Sequence, residues 1–209
     1  MEDGKLILVG WNRSPYARRV AVSLNYYGIS YEQRHQTAWE HFDEVKEINP
    51  IVKVPALIIE DGSFITESYA ILDYLDCRVG PERSLMPPSS PLRDEVRRIV
   101  AIATSVIDKG RELRYEVHLR PEEHCHQPFV DRWSAQITNA ISALEDMITK
   151  PFAAGEKFTQ ADVTLGVMYD MIQNMHPELL TVGSYPGLDL KAAKYHSIKE
   201  FQQAGLGYD

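Results

Sequence analysis

Two short pairs in the first third of the chain carry usable chemistry. Val54-Pro55 opens the apolar run Ala56-Leu57, and Glu67-Ser68 follows a few residues later at a helix start. A proline entering a strand has no ladder hydrogen to give. An X–Pro bond also adopts the cis form at a cost of only about 0.5–1 kcal/mol. A cis bond here turns the Val54 amide and carbonyl out of the sheet, towards a ligand. The plainer alternative is a strand-edge or turn proline. Glu67 adds an acid, and Ser68 a hydroxyl beside free helix amides. Together the pairs describe a place that holds a small peptide by its backbone and its charged end.

The elements that must position these pairs follow from apolar periodicity. Lys5–Val9 reads as a strand. Pro15–Tyr27 reads as a helix with Ala17, Val20, Ala21 and Leu24 at helical spacing, closed by Gly28. Tyr31–His35 is a second strand, and Glu40–Ile48 a short helix stopped by Asn49-Pro50. Ala56–Glu60 and Phe64–Thr66 form a hairpin around Asp61-Gly62. Ser68–Val79 is helical. Residues 81–91 are rich in proline and serine and read as a linker. Beyond it every segment is helical: Leu92–Val117 as one helix or two, Pro128–Ile148 with the stripe Phe129, Trp133, Ile137, Ile141, Leu144 and Ile148, then Thr159–Met175 and Leu188–Gln203. The expected domains are residues 1–80 (α/β), the linker 81–91, and residues 92–209 (all-α).

Composition bounds the function. The 209 residues carry 22 Lys+Arg against 30 Asp+Glu, a net charge of −8, which argues against an electrostatic grip on nucleic acid. No apolar run approaches the roughly 18 residues of a membrane span. The start Met1-Glu2-Asp3-Gly4-Lys5 lacks a secretory pattern. Two cysteines, Cys77 and Cys125, make no disulfide framework and fit a reducing compartment, with the cytoplasm expected. Cys77 is expected to pack as a small apolar residue. His118, His124, Cys125 and His126 match no standard zinc spacing and read as a loop, with no metal expected. Arg18-Arg19 reads as an exposed face or a subunit contact. Thr159-Gln160-Ala161-Asp162 is a capping box with Asp in the acidic position, so Asp162 is given a structural role.

Asn49-Pro50-Ile51-Val52-Lys53-Val54-Pro55-Ala56-Leu57, the pair Glu67-Ser68, and Gly155-Glu156-Lys157-Phe158-Thr159-Gln160-Ala161-Asp162 stand in order around the linker. In these motifs the chain resembles the cytosolic glutathione S-transferases, in a serine-type, bacterial-like form, over essentially its whole length. The resemblance implies a thioredoxin-like domain that holds glutathione as co-substrate, followed by an all-helical domain on the side of the second substrate. It also implies a homodimer, with Tyr69 and Tyr74 as contributors, and a role in detoxification. The binding residues it implies are Lys53, Val54, Pro55, Glu67 and Ser68. Glu67 suits the ammonium of the γ-glutamyl end, Ser68 and nearby amides its carboxylate, and Val54 the cysteinyl backbone. Lys53 is a candidate for the glycyl carboxylate and equally a plain surface lysine.

Asn12-Arg13-Ser14-Pro15-Tyr16 sits where the family places its activating residue. Ser14 is also a good N-cap before a first-turn proline, and the two roles are compatible. Lowering a thiol from about 8.5 by two units takes roughly 2.7 kcal/mol. A hydrogen bond to a charged group supplies about 1.5–3 kcal/mol and a helix dipole up to about 2 kcal/mol. Asn12 is the alternative donor, and Tyr16 a weaker one. The absence of cysteine from this stretch disfavours a mixed-disulfide mechanism. Arg111, Arg114 and Tyr115 line the second-substrate pocket by resemblance, or else a solvated helix face. Two functions follow. One is an enzyme whose glutathione thiolate attacks a small electrophile or reduces a peroxide or disulfide. The other is a non-catalytic or regulatory binding module on the same fold.

Overall fold

The computed structural model describes residues 5–206. Residues 1–4, on which most of the reading of the chain's start rests, lie outside the described residues. The chain divides into two compact units, one of Met1–Pro88 with Ser197–Asp209 and one of Ser89–His196. An α/β unit and an all-helical unit are therefore both present, as the alternation and then the helical run predict.

The first unit is built on a four-stranded sheet of order β2-β1-β3-β4: β1 (Leu6–Val9), β2 (Tyr31–Arg34), β3 (Ala56–Ile58) and β4 (Phe64–Thr66). β1 runs parallel to β2, while β3 is antiparallel to both β1 and β4. The parallel pair requires a crossover, which α1 (Pro15–Tyr27) supplies. Side chains alternate across the sheet. Val9 and Ala56 pack with Val45 of α2 (Phe42–Ile48) on one face, with Ile7, Ile48, Val52 and Val54 around them. On the other, Leu6 and Leu8 are buried, as are Val20 and Leu24 of α1 and Ile71, Leu72 and Leu75 of α3 (Ser68–Val79). Gly28 ends α1 in the left-handed conformation at φ 66°, where a Cβ is penalised.

The supposed linker is partly docked. Leu85 is buried, its amide donates to the Tyr27 hydroxyl at 2.7 Å, and Arg83 donates to the Tyr27 carbonyl at 2.6 Å. The Tyr27 hydroxyl also donates to Asp76, and burial raises its pKa above the ordinary phenol range. Residues 81–88 thus count with the first unit, and the division falls after Pro88.

The second unit holds α4 (Leu92–His118), α5 (Gln127–Met147), α6 (Gln160–Met175) and α7 (Pro186–His196). Leu92 onward is a single unbroken helix. α6 is the central element, buried at every position from Gln160 to Ile172. α4 approaches it closely at Gly110, where a methyl group would stand 3.0 Å from Ile172 Cδ1 and 3.1 Å from Met171 Cε. The α5 stripe is buried at Ile137, Ile141 and Leu144, but Phe129 is 49% exposed and stacks on Trp133 instead. No helix among the described residues is long and apolar enough to cross a membrane.

Three expectations are corrected. The helix expected over Leu188–Gln203 is two, α7 and α8 (Lys199–Gln203), because Ile198 is extended at ψ 128° and interrupts it. The chain after His196 then belongs to the first unit, not to the helical one. Arg18 and Arg19 are buried, at 4% and 2% exposure; for Arg18 the returning segment supplies a partner, the Ala204 carbonyl, which takes its Nε hydrogen at 2.8 Å. Cys77 is exposed, since it lies off the Ile71, Leu72, Leu75 stripe of α3.

Candidate functional site

The connection from β1 to α1 presents Ser14. Its backbone is extended (φ −77°, ψ 118°), Pro15 follows in the first helical turn, and its Oγ accepts from the Ala17 amide at a long 3.4 Å. Capping uses an oxygen lone pair and leaves the hydroxyl hydrogen to give. The first turn of α1 carries no acidic residue of its own to offset the positive end of its dipole. Asn12 is placed differently. It is buried, its Nδ2 donates to the Gly205 carbonyl at 3.1 Å, and its Oδ1 accepts from Gln33 at 2.7 Å. Tyr16 is half-buried within the first turn of α1.

Val54–Pro55 is cis. The ladder of β3 begins only at Ala56, paired with Val9 and Thr66, so Val54 stands outside it. The surrounding turn is held from below. Asn49 is fully buried, and its Nδ2 donates to the Lys53 carbonyl at 2.8 Å and to Thr66 Oγ1 at 3.0 Å, while its Oδ1 accepts from the Ile51 amide at 3.1 Å. The Thr66 hydroxyl passes its hydrogen to the Pro55 carbonyl at 3.2 Å. Gly10 brings this turn against the Ser14 connection. With φ at 141°, it sits where a Cβ would meet Ala17 Cβ at 2.9 Å, Val54 Cβ at 3.4 Å and Pro55 Cα at 3.7 Å. Only glycine fits that approach.

Glu67 closes the arrangement. It is the residue before α3, with φ 64° and ψ 119°, a conformation that costs a non-glycine residue roughly 1–3 kcal/mol. Its side chain makes no cap to its own helix and instead meets Lys53 Nζ at 2.5 Å, in a pair exposed by 47% and 58%. Ser68, at the first position of α3, is buried. Lys53, Val54, Pro55, Glu67 and Ser68 thus gather at one end of the antiparallel β3–β4 pair, where β3 starts and β4 finishes.

Arg111, Arg114 and Tyr115 share one stretch of α4 in the helical unit. Arg111 is half-buried and stands 3.9 Å from Asp108, Arg114 is exposed and Tyr115 is 41% exposed. Near the end of α4 the histidine-rich stretch forms a connection to α5. There the buried Glu116 accepts the His126 amide at 2.8 Å and Arg120 Nε at 2.9 Å, and the His126 bond leads in holding its carboxyl below the usual range. Among the described residues no three His, Cys, Asp or Glu side chains gather as a metal site. Sequence reasoning gave Gly10 and Thr66 no role in the site, and read Asn49 as a helix stop and a motif residue without a hydrogen-bonding role. A buried asparagine between a helix end and a Val-Pro turn is the signal that would have found it.

Comparison with known proteins bears on the family and the fold. The glutathione S-transferase N-terminal domain matches residues 8–83, and the glutathione S-transferase C-terminal domain matches residues 127–193. The maleylacetoacetate isomerase of Rattus norvegicus is 31% identical over 173 residues, covering 79% of this chain and 77% of that one. That of Dictyostelium discoideum is 29% identical over 98% of this chain and 94% of its own. A glutathione S-transferase of Methylobacillus flagellatus, solved with glutathione bound, superposes with a TM-score of 0.89 at 25% identity, covering 96% of this chain and 99% of that one. With two domain models in the expected order and relatives matched across most of their length, the chain belongs to the glutathione S-transferase family.

Proposed function

We propose that the protein binds glutathione on its α/β unit and uses the glutathione thiolate as a nucleophile, as a serine-type transferase. One observation carries this reading. An acid on strained, positive-φ backbone stands, uncapped by its own helix, beside a backbone segment that the sheet leaves unladdered. Such strain marks functional positions. Val54 takes the cysteinyl backbone, Glu67 the γ-glutamyl ammonium, Ser68 and the α3 amides its carboxylate, and Lys53 the glycyl carboxylate. Pro55 shapes the turn. Ser14 donates its hydroxyl hydrogen to the sulfur at the positive end of the α1 dipole.

The thiolate then adds to a small electrophile, or reduces a peroxide or disulfide; the family resemblance offers Arg111, Arg114 and Tyr115 as contacts of that second substrate. A second reading is favoured by the relatives named maleylacetoacetate isomerases. Reversible addition of the same thiolate to an activated double bond serves isomerisation as well as transfer. The working form is a homodimer in a reducing, cytoplasmic setting, with a role in detoxification. Sedimentation at micromolar concentration would return twice the chain mass of 23.8 kDa.

The test is thiolate absorbance of bound glutathione against pH, with turnover of a generic electrophile beside it. Ser14→Ala raises the thiol pKa by about one to two units and lowers neutral turnover, with affinity nearly intact. A purely capping serine would instead lose about 1 kcal/mol of stability and leave the thiol unchanged. Tight glutathione binding without turnover of any electrophile would identify a binding module.

A further inference from the structure

Three side chains of the region that carries Ser14 reach the last part of the described chain. Asn12 Nδ2 donates to the Gly205 carbonyl at 3.1 Å, Arg18 Nε to Ala204 at 2.8 Å, and Asn25 Nδ2 to Glu200 at 3.1 Å. These partners lie 193, 186 and 175 residues away along the chain. Phe201 is 1% exposed, with the Arg18 guanidinium 5.7 Å from its ring. α8 spans only five residues, too few to hold themselves helical in water. The Asn25 bond to Glu200 within it, the bonds to Ala204 and Gly205 just past its end, and the burial of Phe201 hold it instead.

The bond at Asn12 has a second end. Its Oδ1 accepts from Gln33 Nε2 at 2.7 Å, and the same nitrogen donates to the Gly10 carbonyl at 2.9 Å. Gly10 and Asn12 both lie on the connection that ends at Ser14, and Arg18 lies one helical turn beyond. We propose that the C-terminal segment is a strap that fixes the direction of the Ser14 hydroxyl, with Asn12 and Arg18 as its anchors. Asn12 is then a positioning residue and not itself a thiolate donor. The inference rests on reading Ser14 as that donor. Its physical basis is directional: a hydrogen bond weakens steeply as its angle closes, so a slackened connection loses strength without losing the hydroxyl.

The experiment titrates the thiolate absorbance of bound glutathione in the full-length protein, with chemical unfolding alongside. Wild type sets the reference; a thiol that titrates no lower than free glutathione would overturn the Ser14 reading before any variant is made. Asn12→Ala is expected to raise the thiol pKa by about one unit, a tenfold loss of thiolate below it, with glutathione affinity within about threefold. The double variant Asn12→Ala/Ser14→Ala is expected to titrate like Ser14→Ala alone, since the strap acts through Ser14. Arg18→Lys keeps the charge but loses the directed Nε bond, and shifts the thiol the same way should Asn12→Ala fold poorly. Asn25→Ala touches the strap at its far end, and lowers the unfolding midpoint while leaving the thiol at its wild-type value. An unshifted thiol in both Asn12→Ala and Arg18→Lys would reduce the strap to a fold-stabilising contact. Additive shifts in the double variant would make Asn12 a direct partner of the sulfur, and the proposal would fall.

Discussion

Among the helices that begin beside an acid, α6 and α3 treat theirs in opposite ways. Thr159, ahead of α6, is extended at φ −138°, and its Oγ1 accepts the Ala161 amide at 3.3 Å. Asp162 is fully buried and accepts from the Ala153 amide at 2.8 Å, the Thr159 amide at 2.8 Å, the Thr159 hydroxyl at 3.0 Å and the Tyr195 hydroxyl at 2.7 Å. Burial still pushes its carboxyl above the usual range, against the pull of those bonds. Glu67, ahead of α3, sits on strained backbone, caps nothing and shares an exposed ion pair with Lys53. Such exposed pairs contribute about 0–1 kcal/mol. A charge saturated by its own chain belongs to the fold. One held out on costly backbone with weak company is open to a ligand.

The contrast breaks most visibly at Asp162. Asp162→Ala leaves buried amides and the Tyr195 hydroxyl without acceptors and should cost roughly 3–5 kcal/mol, read by equilibrium denaturation. A loss under about 1 kcal/mol would mean that the network is not holding the helical unit. Glu67→Ala should do the reverse. Its denaturation midpoint stays close to wild type, while calorimetry shows glutathione affinity falling roughly ten- to a hundredfold. Unchanged affinity would exclude Glu67 from the ligand. A glycine there sharpens the point: Glu67→Gly releases the positive-φ strain and should gain about 1 kcal/mol of stability while binding is lost.

The smallest effect sits at the other end of α6. His176 is buried, its Nε2 lies 2.8 Å from the Gly110 carbonyl, and burial holds its pKa below 6.5 despite Glu178 3.7 Å from Nδ1. The unfolded chain therefore binds the proton first. Stability is complete above the unfolded value and declines as pH falls through the lowered folded one. His118 and Arg114 add to the depression. Thermal melts from pH 7.5 to 5 should show this decline, and His176→Gln should flatten it.

The elements that local pattern encodes were legible. Pro15 to Gly28 marks α1 at both ends, and Thr159 to Asp162 announces α6 before any contact is known. Val54-Pro55 and Glu67-Ser68 could be read as a pair because residue type alone limits what they do. What stayed hidden depends on partners far along the chain. Arg18 and Arg19 look solvent-facing by charge, and nothing near them tells of a carbonyl at Ala204. The break at Ile198 is equally silent, since Leu188 to Gln203 keeps helical composition throughout. The positive φ of Glu67 is invisible too, because no glycine or asparagine stands there to signal it.

The buried fork at Asn49 has a consequence for how the protein ages. Asparagine side chains are lost over time when the next backbone nitrogen attacks the amide carbon, and the product is an acid. Here that change would remove both donations of Nδ2, to the Lys53 carbonyl and to Thr66, and set an anion beneath the turn. The next residue is Pro50, whose nitrogen has no hydrogen to give up and cannot close the ring. The proline that stops α2 therefore also protects the asparagine from spontaneous chemical decay.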